Sequence, residues 1–287
     1  MAVLLKGKPV TERMAQELAP RIETLRAAGV EPTLAIVRMG ERPDDLSYER
    51  TAIKRAESLG VTVKPYVLDE FAPQEALHAT LQSVNLDAGV HGCLMFRPLP
   101  SFIDEKAMCN ALSPDKDVDG ISLASLAAVF TDASEGFPPC TAAACVRMLD
   151  HYEVPLAGKH VVVVGRSLVV GKPVSMMLLR RNASVTICHS KTEHLEKICR
   201  SADIVICATG RARAFGAECF SPGQTVLDVG INFDTHGNLC GDVNFDEVEP
   251  VVGAITPVPG GIGTVTTSMT MAHTVAAAQA AAEAMRR

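Results

Sequence analysis

The chain of 287 residues has no tryptophan, and aromatic residues make up 4% of it. A platform of rings for stacking nucleic-acid bases is therefore disfavoured. It has no long basic run, and its net charge is −6. No nucleic-acid partner is expected, and an anionic ligand would need a local basic cluster. Nine cysteines form no C-x-x-C pair. Cys188, Cys207 and Cys240 lie in or beside apolar runs, where a thiol behaves as a small hydrophobe. The odd count and these settings point to a reducing cytoplasm. No Cys/His set has zinc-ligand spacing, so no metal is expected. No apolar run is long enough to cross a membrane. The opening Met1–Lys6 is too short for a signal h-region. What is present is apolar bulk: 47% of residues are hydrophobic, ample for two sizeable cores.

The stretch from Val161 to Pro173 organises the chain. Val161–Val164 reads as a strand buried on both faces, as in a parallel sheet. Gly165 and Gly171 allow a tight turn and close approach of a ligand to the backbone. Pro173 has its φ pre-set for a helix start, and Val174–Leu179 follows with helical spacing. Strand, glycine turn and helix N-terminus together form a phosphate site. The G-x-x-x-x-x-G spacing is a variant of the dinucleotide fingerprint, and a plain strand–turn–helix unit is the alternative.

Upstream, strands are expected at Thr33–Met39, Val61–Leu68 and Gly92–Phe96. Helices are expected over Val10–Ala28, from Asp44 or Asp45 to Leu59, over Ala72–Val84 and over Ile103–Leu112. The β-α-β-α-β-α order implies a parallel sheet. The segment Thr131–Pro139, rich in Gly, Pro and small polar residues, is the best boundary. A helix follows from Thr141 to Tyr152, with Thr141 as its cap. Further strands are expected at Ser184–Cys188, Asp203–Ala208 and Thr225–Val229, with helices from Pro173 and Glu193. The expected fold class is thus α/β, two lobes with a cleft between, the C-terminal one a Rossmann-like parallel sheet. Residues 1–138, completed by a helix over 266–287, form one domain, and 139–265 the other.

After the second strand of the nucleotide unit, an NAD-specific fold places a carboxylate for the ribose 2′-OH. Here Cys188-His189-Ser190-Lys191-Thr192 stands instead. With Arg166, Ser190 and Lys191 suit a 2′-phosphate, which favours NADP. The alternative is that Arg166 and Lys191 are ordinary solvated charges. In the loop Pro114–Gly120, the cluster Asp115, Lys116, Asp117 and Asp119 reads either as a solvated turn or as a carboxylate for an amidine-like ring such as a pterin. Lys116 among the acids weakens a metal reading. Tyr48 can stack on an aromatic ligand or pack half-buried. His151, His189 and His273 each stand alone, with solvated or packed histidine the default. Thr256–Gly263, with two prolines and three glycines, reads as a ligand-lining loop or a tight connector.

Along almost its whole length the chain resembles the methylenetetrahydrofolate dehydrogenase/methenyltetrahydrofolate cyclohydrolase family. The matching stretches are Pro114–Gly120, Pro139–Thr141, Val164–Pro173, Cys188–Thr192, Asp228-Val-Gly-Ile-Asn232 and Thr256–Gly261. The resemblance implies oxidation of methylenetetrahydrofolate with NADP, in many members followed by hydrolysis to formyltetrahydrofolate, in a homodimer. Tyr48 and Asp119 become the catalytic-site positions, Tyr48 stacking on the folate and Asp119 holding the pterin. Pro259, Gly260 and Gly261 would line the folate cleft. The cofactor-binding positions would be Thr141, Gly165, Arg166, Ser167, Val170, Gly171, His189, Ser190, Lys191, Gly210 and Ile231.

The departures are as informative. The family's Y-x-x-x-K lysine, its hydrolytic acid/base, is Ala52 here. The glutamine of Q-L-P-L-P, which tunes that lysine, is Phe96. Lys54, two positions on, is about 200° around a helix from Ala52 and cannot simply substitute. Pro-Cys-Thr-Pro becomes Pro139-Cys-Thr-Ala142, and the final motif reads Gly261-Ile-Gly-Thr-Val-Thr266. Hydride transfer needs mainly positioning. Hydrolysis needs a placed acid/base. The expectation is a dehydrogenase with weak or absent cyclohydrolase activity. The rivals are a bifunctional enzyme using Lys54 or Arg97, a non-catalytic folate or nucleotide sensor, and a dehydrogenase for another substrate.

Overall fold

The computed structural model describes residues 1–286. The chain forms two units, one of residues 13–140 and 267–287, the other of residues 1–12 and 141–266.

The first unit is built on three parallel strands. They are β2 (Thr33–Met39), flanked by β3 (Thr62–Leu68) and β4 (Gly92–Met95), β1 belonging to the second unit. All seven residues of β2 are buried, as a central parallel strand requires. Its alternating side chains serve two cores. Leu34 and Ile36 pack with Leu18 and Ile22 of α1 (Gly7–Ala27), Ala52 and Ala56 of α2 (Pro43–Leu59), and Met271 and Val275 of α10 (Ile262–Ala284). Ala35, Val37 and Met39 face the other way, onto Leu77 and Leu81 of α3 (Gln74–Leu86) and Met108 of α4 (Glu105–Ala111). β3 is a sheet edge, and its burial alternates accordingly. The last helix therefore packs into the first unit's core.

In the first unit one helix was not expected from the sequence: α5 (Leu123–Thr131). Ser122 caps it, its hydroxyl accepting from the Ser125 N–H at 3.2 Å. It closes in a left-handed residue, Asp132.

The second unit is one sheet of six parallel strands in the order β1-β11-β8-β7-β5-β6. These are β1 (Val3–Leu4), β5 (His160–Val164), β6 (Ser184–Cys188), β7 (Ile204–Cys207), β8 (Thr225–Asp228) and β11 (Ala254–Ile255). α6 (Cys140–His151) leads in, α7 (Gly171–Arg180) joins β5 to β6, and α8 (Leu195–Arg200) joins β6 to β7. A hairpin of β9 (Asn232–Phe233) and β10 (Leu239–Cys240) and the short α9 (Phe245–Val248) precede β11. The opening residues were expected with the first unit. They instead add β1 to this sheet, Val3 beside Ala254. Two residues show no periodicity, so nothing local reveals such a strand. α7 starts at Gly171, two residues before Pro173, and α8 starts at Leu195 rather than Glu193.

In the first unit, Arg38 donates from Nε to Glu49 Oε2 at 2.9 Å, and from Nη1 to the Gly40 carbonyl. Both charged side chains are 10% exposed. Removing one partner strands the other charge in a poorly solvated site. R38M should cost about 3–5 kcal/mol in urea unfolding, and R38M/E49L should recover most of it. Equal midpoints for R38M and the parent would show that the pair contributes nothing.

Candidate active site

In the second unit the chain runs outward from β5, first to β6 on one side and then to β7 on the other. The order reverses between β5 and β7. Ligands of doubly wound sheets bind at such a switch point, outside the carboxyl ends of the strands.

The loop after β5 is shaped for close approach. Gly165 has φ +134°, and a Cβ there would lie 2.2 Å from the Ala208 carbonyl oxygen. At Gly171 a Cβ would lie 2.2 Å from the Gly165 carbonyl oxygen. The Ser167 hydroxyl accepts from the Val170 N–H at 3.1 Å, and its carbonyl accepts from the Lys172 N–H at 3.0 Å. Arg166, Ser167, Leu168 and Val169 are exposed. The N-terminus of α7 has no side-chain cap, and although the Lys172 and Val174 N–H groups are already bonded to the carbonyls of Ser167 and Val170, the positive end of its dipole favours an anion.

The loop after β6 is a tight turn. The His189 N–H donates to Thr192 Oγ1 at 2.9 Å, and His189 Nδ1 accepts from the Lys191 N–H at 3.1 Å. That turn presents Ser190 and Lys191 to solvent. Gly210 lies in the loop after β7, Ile231 (66% exposed) follows β8, and Thr141 is the second residue of α6. Pro259, Gly260 and Gly261 belong to this second unit, in the loop before α10. The Gly260 carbonyl accepts from the Gly7 N–H at 2.7 Å. The glycine cradle, the uncapped helix and the Arg166/Ser190/Lys191 set fit a phosphorylated dinucleotide.

The first unit gathers Tyr48, Asp119 and their neighbours. The acidic loop sorts itself by hydrogen bonding. Lys116 Nζ donates to the carbonyls of Val84 and Asp87, each at 2.7 Å. Asp117 is fully buried and accepts from the Ile121 and Ser122 N–H groups and the Ser125 hydroxyl, at 2.9, 2.8 and 2.7 Å. Both are therefore structural, and Asp115 is exposed. Asp119 is different. Burial pushes its carboxyl up to about 6, with Asp117 adding to the rise, while the Arg97 charge and a hydrogen bond with Cys140 oppose it. Asp119 in turn helps burial raise the Tyr48 phenol well above its ordinary value. The hydroxyls of Thr267 and Thr270 on α10 hydrogen-bond that phenol and work against the rise.

Behind this pair sit Cys140 and His273. Cys140 Sγ donates to the Val118 carbonyl at 3.1 Å, and Thr270 Oγ1 donates to Cys140 Sγ at 3.4 Å. His273 Nδ1 donates to the Val118 carbonyl at 2.8 Å, and its ring stacks on Phe137 with centroids 5.0 Å apart. Burial raises the thiol and lowers the imidazole, so both are held neutral. They are a packed support, not a thiolate–imidazolium pair. Cys140, Thr267 and Thr270 were missed in the sequence. Their one signal is the i, i+3 spacing Thr267, Thr270, His273, which puts three polar groups on one helix face.

Ala52 is fully buried and Phe96 is 6% exposed, both within one apolar cluster. The Phe96 ring packs on Tyr48, centroids 5.5 Å apart and tilted 53°. Lys54 is exposed, and Arg97 Nη1 lies 3.7 Å from Glu105 Oε1. Phe96 also borders a cavity of about 190 Å³ with Phe71, Phe102 and Arg42. Arg42 there is bidentate to Asp45 and donates to the Pro98 carbonyl. Among the described residues no cluster of His, Cys, Asp and Glu could hold a metal, and no helix is long and apolar enough to cross a membrane.

These features define an α/β enzyme with a dinucleotide-binding unit and another unit carrying a half-buried carboxylate beside an aromatic ring. The chain belongs to the tetrahydrofolate dehydrogenase/cyclohydrolase family: its catalytic-domain model matches residues 5–119 and its NAD(P)-binding-domain model residues 139–282. The chain is 47% identical to the "Bifunctional protein FolD" of Carboxydothermus hydrogenoformans, over 97% of this chain and 98% of that one. It is similar to the crystal structure of the bifunctional FolD enzyme of Campylobacter jejuni, with TM-score 0.95, 35% identity, and 98% and 99% of the two chains covered. It is also similar to the Trypanosoma brucei enzyme complexed with NADP cofactor and inhibitor, with TM-score 0.92, 32% identity, and 100% and 99% coverage.

Gly165 offers a direct check of the cradle. In G165A a methyl group would have to occupy a left-handed conformation against a carbonyl. NADPH fluorescence titration should show affinity falling about tenfold or more. Undiminished affinity would argue against this turn as the phosphate cradle.

Proposed function

We propose that this protein oxidises methylenetetrahydrofolate to methenyltetrahydrofolate with NADP, and that its cyclohydrolase activity is weak or lost. The observation that carries this reading is the burial of Ala52 and Phe96 within one apolar cluster, Phe96 against the Tyr48 ring, where the resemblance places the lysine and glutamine of hydrolysis.

The Asp119 carboxylate accepts two hydrogen bonds from the amidine-like edge of the pterin and sets its register. The Tyr48 ring, held by Phe96 on its side and by Thr267 and Thr270 at its hydroxyl, gives the folate's aromatic part a fixed stacking face. Arg166, Ser167, Ser190, Lys191 and the positive end of the α7 dipole hold the phosphates of NADP. The 2′-phosphate reading is supported by the Ser190–Lys191 turn in place of a carboxylate, and by the NADP in the Trypanosoma brucei relative. NADP, when bound, supplies the hydride acceptor. Loss of a hydride from the methylene carbon leaves a cation and releases no proton, so these residues need only to position.

Hydrolysis asks for more. Water must lose a proton and a ring nitrogen must gain one. Apart from Asp119, which the pterin engages, the ionisable groups around Tyr48 do not serve. The phenol and the Cys140 thiol are pushed far above neutrality, and His273 has its Nδ1–H committed to Val118. Lys54 is exposed, and a guanidinium such as Arg97 does not give up its proton near neutral pH. A second reading, retained hydrolysis through another carrier, is favoured by the bifunctional names of the relatives. A homodimer in a reducing cytoplasm completes the proposal, supported by the family resemblance and by nine free, buried cysteines.

Methylenetetrahydrofolate and NADP should give reduced cofactor and methenyl product in equal amounts, the latter accumulating. Prompt conversion to formyltetrahydrofolate would favour the bifunctional reading, and ligand binding without turnover a sensor. A52K/F96Q, in which the lost ring makes room for the new chain, should raise hydrolysis about 10²-fold or more. Asp119 must be ionised to accept both pterin hydrogen bonds. Its carboxyl titrates at about 6, so KM for the folate should climb as pH falls through that value. A flat KM between pH 5 and pH 8 would remove Asp119 from the binding step.

A further inference from the structure

At the carboxyl ends of the second sheet lie two buried aspartates to which the functional reading gives no role. Asp228 is 3% exposed and Asp242 fully buried. Asp228, at the end of β8, accepts from the N–H groups of Gly230, Asp242 and Val243, each at 2.9 Å. It thereby fixes the backbone of its neighbour. Asp242 turns its own carboxylate to the loop after β7. It accepts from the N–H groups of Thr209, Gly210 and Arg211, the last two at 3.2 and 2.9 Å. It also accepts from the Thr209 hydroxyl and from Asn232 Nδ2, each at 2.9 Å.

The surrounding chain is shaped to this pair. A Cβ at Gly241 would lie 1.8 Å from Asp228 Oδ2, and one at Gly230 would lie 2.3 Å from Asp242 Oδ1. The loop so gathered begins at Ala208, whose carbonyl meets the Gly165 turn at the switch point. One carboxylate thus aligns three consecutive amides of one wall of the dinucleotide crevice. A neutral amide in its place would offer one acceptor oxygen and turn a donor toward other donors.

We propose that Asp242 is a positioning residue for NADP, setting the Thr209–Arg211 loop against the Gly165 turn so that the crevice is pre-formed before the nucleotide arrives. This rests on the reading of the second unit as the NADP site. The carboxylate acts through the loop and need not touch the cofactor. Thr209 is its most separable handle, since the hydroxyl bond can be removed without burying an unmatched charge.

The test is NADPH titration with steady-state kinetics on the full-length D242N, T209V, T209S and D242N/T209V proteins. D242N should weaken NADP binding about tenfold or more, T209V less, and T209S should recover most of the T209V loss. The double variant should lose less than the two single losses combined, because both remove the same contact. KM for the folate should stay near the parent value in all four. Lower melting temperatures with unchanged NADP affinity would overturn the proposal and leave a purely structural pair. So would equal losses in the two KM values. If D242N does not fold, T209V against T209S decides alone, and equal affinities there overturn it. Failure of the parent protein to bind NADPH would instead refute the nucleotide reading, and this inference with it.

Discussion

A central parallel strand has no face to spare for water, and the rest of the molecule follows from that constraint. β2 has all seven residues buried, so it must be covered from both sides. Its odd and even positions accordingly serve different helices. β5 repeats the solution with four buried valines. Crossover helices bring every strand back in one direction, so the loops at the strand carboxyl ends collect on one side of each sheet. Those loops hold Gly165, Ser190, Gly210 and Asp228, and in the first unit the chain after β4 carries Phe96 and Arg97. The covered sheet thus decides where polar chemistry is available.

Within these loops, hydrogen bonding rather than charge count separates working groups from scaffolding. Asp117 and Asp119 are two residues apart. Asp117 spends its oxygens on two amides and a hydroxyl. Asp119 stays under-compensated, and its raised titration is the sign of that. A raised carboxyl by itself does not separate the two kinds, since Asp228, held by three amides, is also pushed up to about 6, burial being the main cause. Folded proteins keep such groups where strain or ligand binding uses them.

Much of this was legible in the residues. Long elements with a clear period, such as the Val161–Val164 strand and the helix after it, appear where the pattern puts them. The glycine turn was readable because only a narrow backbone geometry explains Gly165 and Gly171 together. The short strands were not. β1, β9, β10 and β11 have two residues each, and pairing alone makes them strands. α5 hid because its run Leu123–Phe130 follows a loop that reads as continuous. Asp119 could be told from Asp117 by resemblance but not by chemistry, since the difference lies in which amides each one meets. Asp242 left no trace, as its partners come from a loop some thirty residues upstream.

The first unit's core holds Leu18 and Ile22 near one end of the chain and Ala278 and Ala282 near the other. Between them the whole second sheet is threaded. During synthesis the early strands therefore emerge long before the helix that finishes their core. The second unit's sheet can close first, because Val3 and Leu4 are already waiting when Ala254 and Ile255 arrive. A newly made chain must hold an unfinished hydrophobic face until that helix emerges, and that interval is when a chaperone or an unwanted neighbour would find it.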